Sequence, residues 1–110
     1  MLLVDGYVNV IVEAIFKAEG NVYAYIGHHE FKGTRKFQVR DNFEIEIPVK
    51  FSLEIDADED ISDEELKYLV KEELEILGPY VEFDWRPSSE FFEWSAHIGK
   101  VVINSREVLG

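Results

Sequence analysis

From Phe43 to Ile55 apolar and polar residues alternate without a break. Phe43, Ile45, Ile47, Val49, Phe51, Leu53 and Ile55 fall on one side of an extended chain. Glu44, Glu46, Pro48, Lys50, Ser52 and Glu54 fall on the other. A sustained period of two predicts an antiparallel strand with one face on a core and one in water. Pro48 has no N–H to donate, which predicts an edge position or a bulge. The rest of the chain must supply a cover for that apolar face.

Three segments before it also read as strands. In residues 7–18, Val8, Val10, Val12, Ala14, Phe16 and Ala18 alternate with a second face that is itself half apolar (Tyr7, Ile11, Ile15). Glu19-Gly20-Asn21 reads as a turn, because Gly and Asn tolerate positive φ. Residues 22–26 form the return strand. The glycine-bounded stretch 27–33 reads as a loop and 34–39 as a third strand. A three-residue loop, Arg40-Asp41-Asn42, would pair this strand with 43–55 so that Phe37 faces Ile45 and Lys36 faces Glu46; slipping by one residue would flip every side chain.

Residues 63–77 predict the one helix. Ser62 and Glu65 form a Ser-x-x-Glu capping box, Ile61 and Leu66 stand at the hydrophobic-staple positions, and Asp63, Glu64 and Glu65 suit the positive end of the helix dipole. Leu66, Leu69, Val70, Leu74 and Leu77 make an apolar stripe, and Gly78-Pro79 is a stop signal. After it, Val81, Phe83 and Trp85 alternate as a fifth strand. Residues 90–98 alternate again, with a short helix capped by Ser89 as the alternative. Gly99-Lys100 reads as a turn before the apolar run 101–103, and residues 105–110 read as a fraying end.

The expected fold is therefore α+β, one domain over residues 1–110. A mainly antiparallel curved sheet, in the order ββββαββ with a seventh strand left open, packs against one amphipathic helix. A chain that is 46% hydrophobic has ample material for such a core, which excludes global disorder.

Charge and cysteine content narrow the function classes. The net charge is -12, and residues 41–85 alone hold sixteen acids against three bases. A polyanion of this size repels a phosphate backbone, so direct nucleic-acid binding is not expected. The absence of cysteine removes disulfides, thiol catalysis and Cys-ligated zinc. Sixteen Glu beside one Gln and one Met match the reported hyperthermophile bias. No secretory leader or membrane-spanning apolar run is legible, so the expected location is the cytoplasm.

No motif signals catalysis. There is no G-x-S-x-G elbow, P-loop or G-x-G-x-x-G, so the reading leans away from an enzyme, and no cofactor is implied. His28 and Glu30, on one side of an extended loop, could share a metal if His97 supplied a third ligand; a polar loop tip is the plainer reading. Asp56-Ala57-Asp58-Glu59-Asp60 resembles half a calcium loop but has Ile61 at the sixth position and Lys67 at the twelfth, so that pattern fails. Lys32, Arg35, Lys36 and Arg40 interleave with Phe31 and Phe37, a cationic group expected to be balanced by the glutamates of the next strand.

The interaction surface expected from these features combines the outward glutamates Glu44, Glu46 and Glu54 with Phe91 and Trp94, drawn from six rings in residues 80–94. The leading reading is a small acidic, non-catalytic protein-interaction module whose partner is another protein or a second copy. One alternative is a mobile-element inhibitor that mimics nucleic acid toward a basic host protein, since carboxylates on alternate strand residues approximate phosphate spacing. The other is a small-ligand or metal-dependent enzyme using the His28/Glu30 loop.

Overall fold

The computed structural model describes residues 1–15, 20–37, 42–84 and 93–109. The elements run β1 (Leu2–Ile15), β2 (Gly20–Ile26), β3 (Phe31–Phe37), β4 (Asn42–Ile55), α1 (Asp63–Leu77), β5 (Pro79–Phe83) and β6 (Glu93–Val108). The expectations for Trp85, Phe91 and Phe92, for the Pro87-Ser88-Ser89 break, and for Val39, Arg40 and Asp41 lie outside the described residues.

The fold is α+β with antiparallel pairing, but the single curved sheet is replaced by two three-stranded sheets, β4-β1-β6 and β3-β2-β5. The expected β3–β4 hairpin is overturned. β4 pairs with β1 along its whole length, Leu2 opposite Ile55 through Ile15 opposite Asn42, while Lys36 lies opposite Asn21 rather than Glu46. The reason is length and pattern. Each of β1 and β4 has 14 residues, and their alternations match in this register, so that Leu2, Val4, Val8, Val10 and Val12 of one and Ile45 to Ile55 on alternate positions of the other all reach the core. Seven-residue β3 could have served only half of β4.

Instead β3 crosses β4 at Gly33, where a Cβ would run into the Pro48 carbonyl. Only a residue without a side chain permits that approach. Pro48 accordingly lies in an edge strand, where its missing donor costs no ladder bond to a second neighbour.

Three other boundaries move. β1 begins at Leu2 rather than residue 7, because Leu2 and Val4 continue the inward alternation and are buried. The loop at 27–33 shrinks to a turn at 27–30, with β3 starting at Phe31. Residues 99–100 are not a turn: β6 is one strand of 16 residues, and register shifts against β1 absorb the irregularities there and near Asn104. The segment expected to fray pairs instead with the start of β1, Ser105 opposite Asp5 and Val108 opposite Leu2.

The long sheet sets the shape, with extents of 52 × 20 × 20 Å. A 14-residue strand rising about 3.3 Å per residue accounts for most of the long axis. Helix α1 packs on β6 and β4, and the small sheet packs on β4 and β6. Arg106, opposite Val4, donates to the Ile61 carbonyl just before the helix, which fixes the helix at the Leu2 end. Trp94, opposite Ala14, meets Phe83 of β5 edge-on, which fixes the small sheet at the other end. Between them the Gly27 N–H donates to the Gly78 carbonyl at 3.1 Å. One hydrophobic cluster then runs from Leu66, Val70 and Leu74 through Val4, Val8, Val10 and Ile47 to Val22, Ile26 and Val81.

The helix follows its sequence signals. Ser62 Oγ accepts from the Glu65 N–H at 3.2 Å, and the Gly78 N–H closes on the Leu74 carbonyl at 2.9 Å with φ of 87°. Among the described residues no helix is long and apolar enough to cross a membrane.

Candidate functional site

Two faces are left outward by this arrangement, and both are built by strand pairing. The first is the outer face of the long sheet. The odd-numbered residues of β1 point away from the core, and their ladder partners share that face. Across the sheet this gives the rows Glu54–Leu3–Glu107, Ser52–Asp5–Ser105, Lys50–Tyr7–Val102, Glu46–Ile11–His97 and Glu44–Glu13–Ser95. Ser105 Oγ lies 3.4 Å from Asp5 Oδ2, as expected for neighbours on one face.

Leu3, Tyr7 and Ile11 are half-buried along the midline, while Glu44, Glu46 and Glu54 are exposed along the β4 rim. The central strand thus interleaves apolar Leu3, Tyr7 and Ile11 with Asp5 and Glu13, and the β4 border is the more acidic one, with Glu44, Glu46 and Glu54 beside Ser52 and Lys50. Glu13 stands directly opposite Glu44. Like charges in that position repel and weaken the sheet.

The second face belongs to the small sheet. Its rows are Lys32–Tyr25–Tyr80, Thr34–Tyr23–Glu82 and Lys36–Asn21. Cations line the β3 side, tyrosines the middle and carboxylates the β5 side. The 27–30 turn folds His29 onto this face. Its ring stacks on Tyr25 at 3.9 Å between centroids with 15° between planes, and Tyr80 flanks both rings at 6.2 and 6.1 Å.

His29 Nε2 is 3.3 Å from Glu82 Oε1. The Lys32 amine sits 4.7 Å from the Tyr23 centroid and 5.8 Å from that of Tyr25, within cation–π range. Burial first, and then the Glu82 carboxylate that takes its hydroxyl bond, push the Tyr25 phenol up, so Tyr25 stays a donor. Asp84 accepts from the Asn21 N–H at 2.8 Å and from Asn21 Nδ2 at 2.9 Å. The two Asn21 bonds, backbone and then side chain, hold its carboxyl below the ordinary range, with Tyr23 adding a smaller pull the same way.

The turn that carries His29 is strained. Gly27, His28 and His29 have φ of 64°, 40° and 69°. Two consecutive side-chain-bearing residues in the left-handed region cost about 1–2 kcal/mol each, and such outliers concentrate at functional sites.

The sequence-predicted residues scatter over this map. Glu44, Glu46 and Glu54 do share one exposed face. Trp94 is 39% exposed but sits on the core side of β6, against Phe83, away from those glutamates. His28 and Glu30 lie in the strained turn, whereas His97 is on the outer face of the long sheet, so the three do not come together. Among the described residues no group of three or more His, Asp or Glu is placed to hold a metal.

The cationic group is not balanced as expected. Arg35 donates to the Glu46 backbone carbonyl at 3.2 Å, and Lys32 and Lys36 share the tyrosine face. Sequence reasoning missed that face entirely. The only local hints are two pairs spaced by two, Tyr23/Tyr25 and Tyr80/Glu82; joining them requires knowing that β2 pairs with β5. In comparisons with known proteins, no family model, curated protein or solved structure matches this chain.

Proposed function

We propose that the chain is a non-catalytic protein-interaction module that docks a basic, amphipathic segment of a partner protein on the outer face of β4-β1-β6. The observation that carries this reading is the outer face itself, on which half-buried Leu3, Tyr7 and Ile11 of the central strand stand among Glu13, Glu44, Glu46, Glu54 and Glu107. Apolar contact along the midline supplies affinity, and the anionic rim steers and orients a cationic partner. Retaining Glu13 directly opposite Glu44 costs stability in the free protein and becomes favourable once a cation sits between them.

The test uses a short peptide alternating Lys and Leu, with oligolysine as control, titrated by calorimetry. The alternating peptide binds wild type, and the E44Q/E46Q/E54Q variant loses it. Replacing Ile11 by Ser weakens the alternating peptide and leaves oligolysine unchanged. Equal binding of the two peptides, or indifference to the glutamate variant, removes the proposal.

A second reading has one observation in its favour. Exposed Glu44 and Glu46 on alternate residues, with Glu13 beside them, present a row of carboxylates suited to a groove that binds nucleic acid. In that case duplex DNA competes for the partner and Ile11→Ser has no effect.

A further inference from the structure

We propose that the tyrosine face of the small sheet is a binding site for a guanine nucleotide, whose base takes the place His29 now occupies on Tyr25. The site lies on the other sheet from the docking face and does not depend on it.

The argument starts from what His29 does. A planar heteroaromatic ring lies nearly parallel on Tyr25 at 3.9 Å and points a ring nitrogen at Glu82 from 3.3 Å. The protein thus shows in itself the ligand chemistry that this surface accepts: a flat ring stacked on tyrosine, with a nitrogen-borne donor aimed at a carboxylate. His29 holds that position through a turn in which it and His28 are both in the left-handed region. Release of the turn relieves the strain, so an incoming ring displaces His29 at reduced cost.

Guanine fits the vacated contacts better than the other bases. Its ring N–H and adjacent exocyclic amine are two parallel donors that match one carboxylate, whereas adenine offers only the amine. Glu82 is that carboxylate, and Tyr80, 45% exposed, flanks the stack.

The opposite rim supplies the counter-charge. Lys32 is held over Tyr23 and Tyr25, and Lys36 follows on the same face two residues along β3. A phosphate carried by the sugar reaches these amines when the base lies on Tyr25. The chain's overall charge of -12 opposes a long polyanion, but at physiological salt it is screened beyond about 8 Å. A single nucleotide therefore senses chiefly the local lysines.

Calorimetry on the full chain with GMP, AMP, guanosine and ribose phosphate tests this. GMP binds most tightly, guanosine more weakly, and ribose phosphate without a base does not bind measurably. Tyr80→Ala, which leaves the core intact, weakens GMP roughly ten-fold. Lys32→Ala brings GMP down to the level of guanosine, and Glu82→Gln abolishes the preference for GMP over AMP. His29→Ala binds GMP several-fold more tightly, because no ring has to leave. Variants are accepted as folded by unchanged circular dichroism. Ribose phosphate binding as well as GMP, GMP binding that His29→Ala weakens, or no GMP binding by either wild type or His29→Ala overturns the proposal.

Discussion

His28 is the residue whose backbone most conflicts with its side chain. Its φ of 40° belongs to the region where a Cβ meets the following carbonyl, and unlike His29 its ring has no stacking partner among the described residues. His28→Gly relieves that conflict and leaves the Tyr25 stack in place. A gain of up to about 1 kcal/mol in urea unfolding is expected, and a loss would mean that the His28 side chain makes contacts worth more than the strain.

Asp84 gives a pH-dependent counterpart. Because the two Asn21 bonds lower its pKa in the folded state, its stabilising contribution is complete above the ordinary aspartate value of about 4. It is lost as pH falls through the lower folded value. Thermal melts should show wild type above Asp84→Asn at neutral pH and the gap closing in acid. A gap that widens in acid would mean that the carboxylate is not the group responsible.

At the scale of elements, the helix carries its own flaw. Its last turn has no basic residue, and Glu73 and Glu75 stand close to the negative end of the dipole. Glu73→Lys, on the exposed side, should raise the melting temperature by a few degrees, corresponding to about 0.3–1 kcal/mol. A similar gain of a few tenths of a kcal/mol is expected from Glu44→Lys opposite Glu13. That substitution should also abolish binding of the Lys-Leu peptide, so stability and docking move in opposite directions.

The contrast between these elements explains what was legible. α1 is readable to the residue and β4 to within one residue at its start, Asn42 rather than Phe43, because their signals are local: strict alternation, a capping box, a Gly-Pro stop. β6 is not, since its bulges break the period and make one strand look like a strand, a turn and a tail. Strand pairing is hidden from the sequence for a related reason. Adjacency in sequence suggested pairing β3 with β4, but the match of two long apolar faces, β1 on β4, outweighed it.

For the whole molecule, the same distinction separates the two candidate faces. The acidic rim was visible from the sequence because it lies on one strand. The Tyr23–Tyr25–His29–Tyr80–Glu82 cluster spans residues brought together only by β2 pairing with both β3 and β5. Charge acts at this scale too. Of the sixteen acids set against three bases in residues 41–85, thirteen fall on β4, the 56–62 connection and α1, which lie along one long body rather than being dispersed over a sphere. Ion pairs that could offset this are few among the described residues, Arg106 with Asp63 at 3.7 Å being one of them.

Repulsion between carboxylates therefore dominates the surface field, and salt screens it over a Debye length that shortens from about 30 Å at 0.01 M to about 3 Å at 1 M. The melting temperature should rise steadily as sodium chloride is added across that range, and the rise should flatten in the E44Q/E46Q/E54Q variant. A midpoint that falls with salt would show that attractive pairs outweigh the acidic excess. It would also remove the electrostatic basis for docking a basic partner.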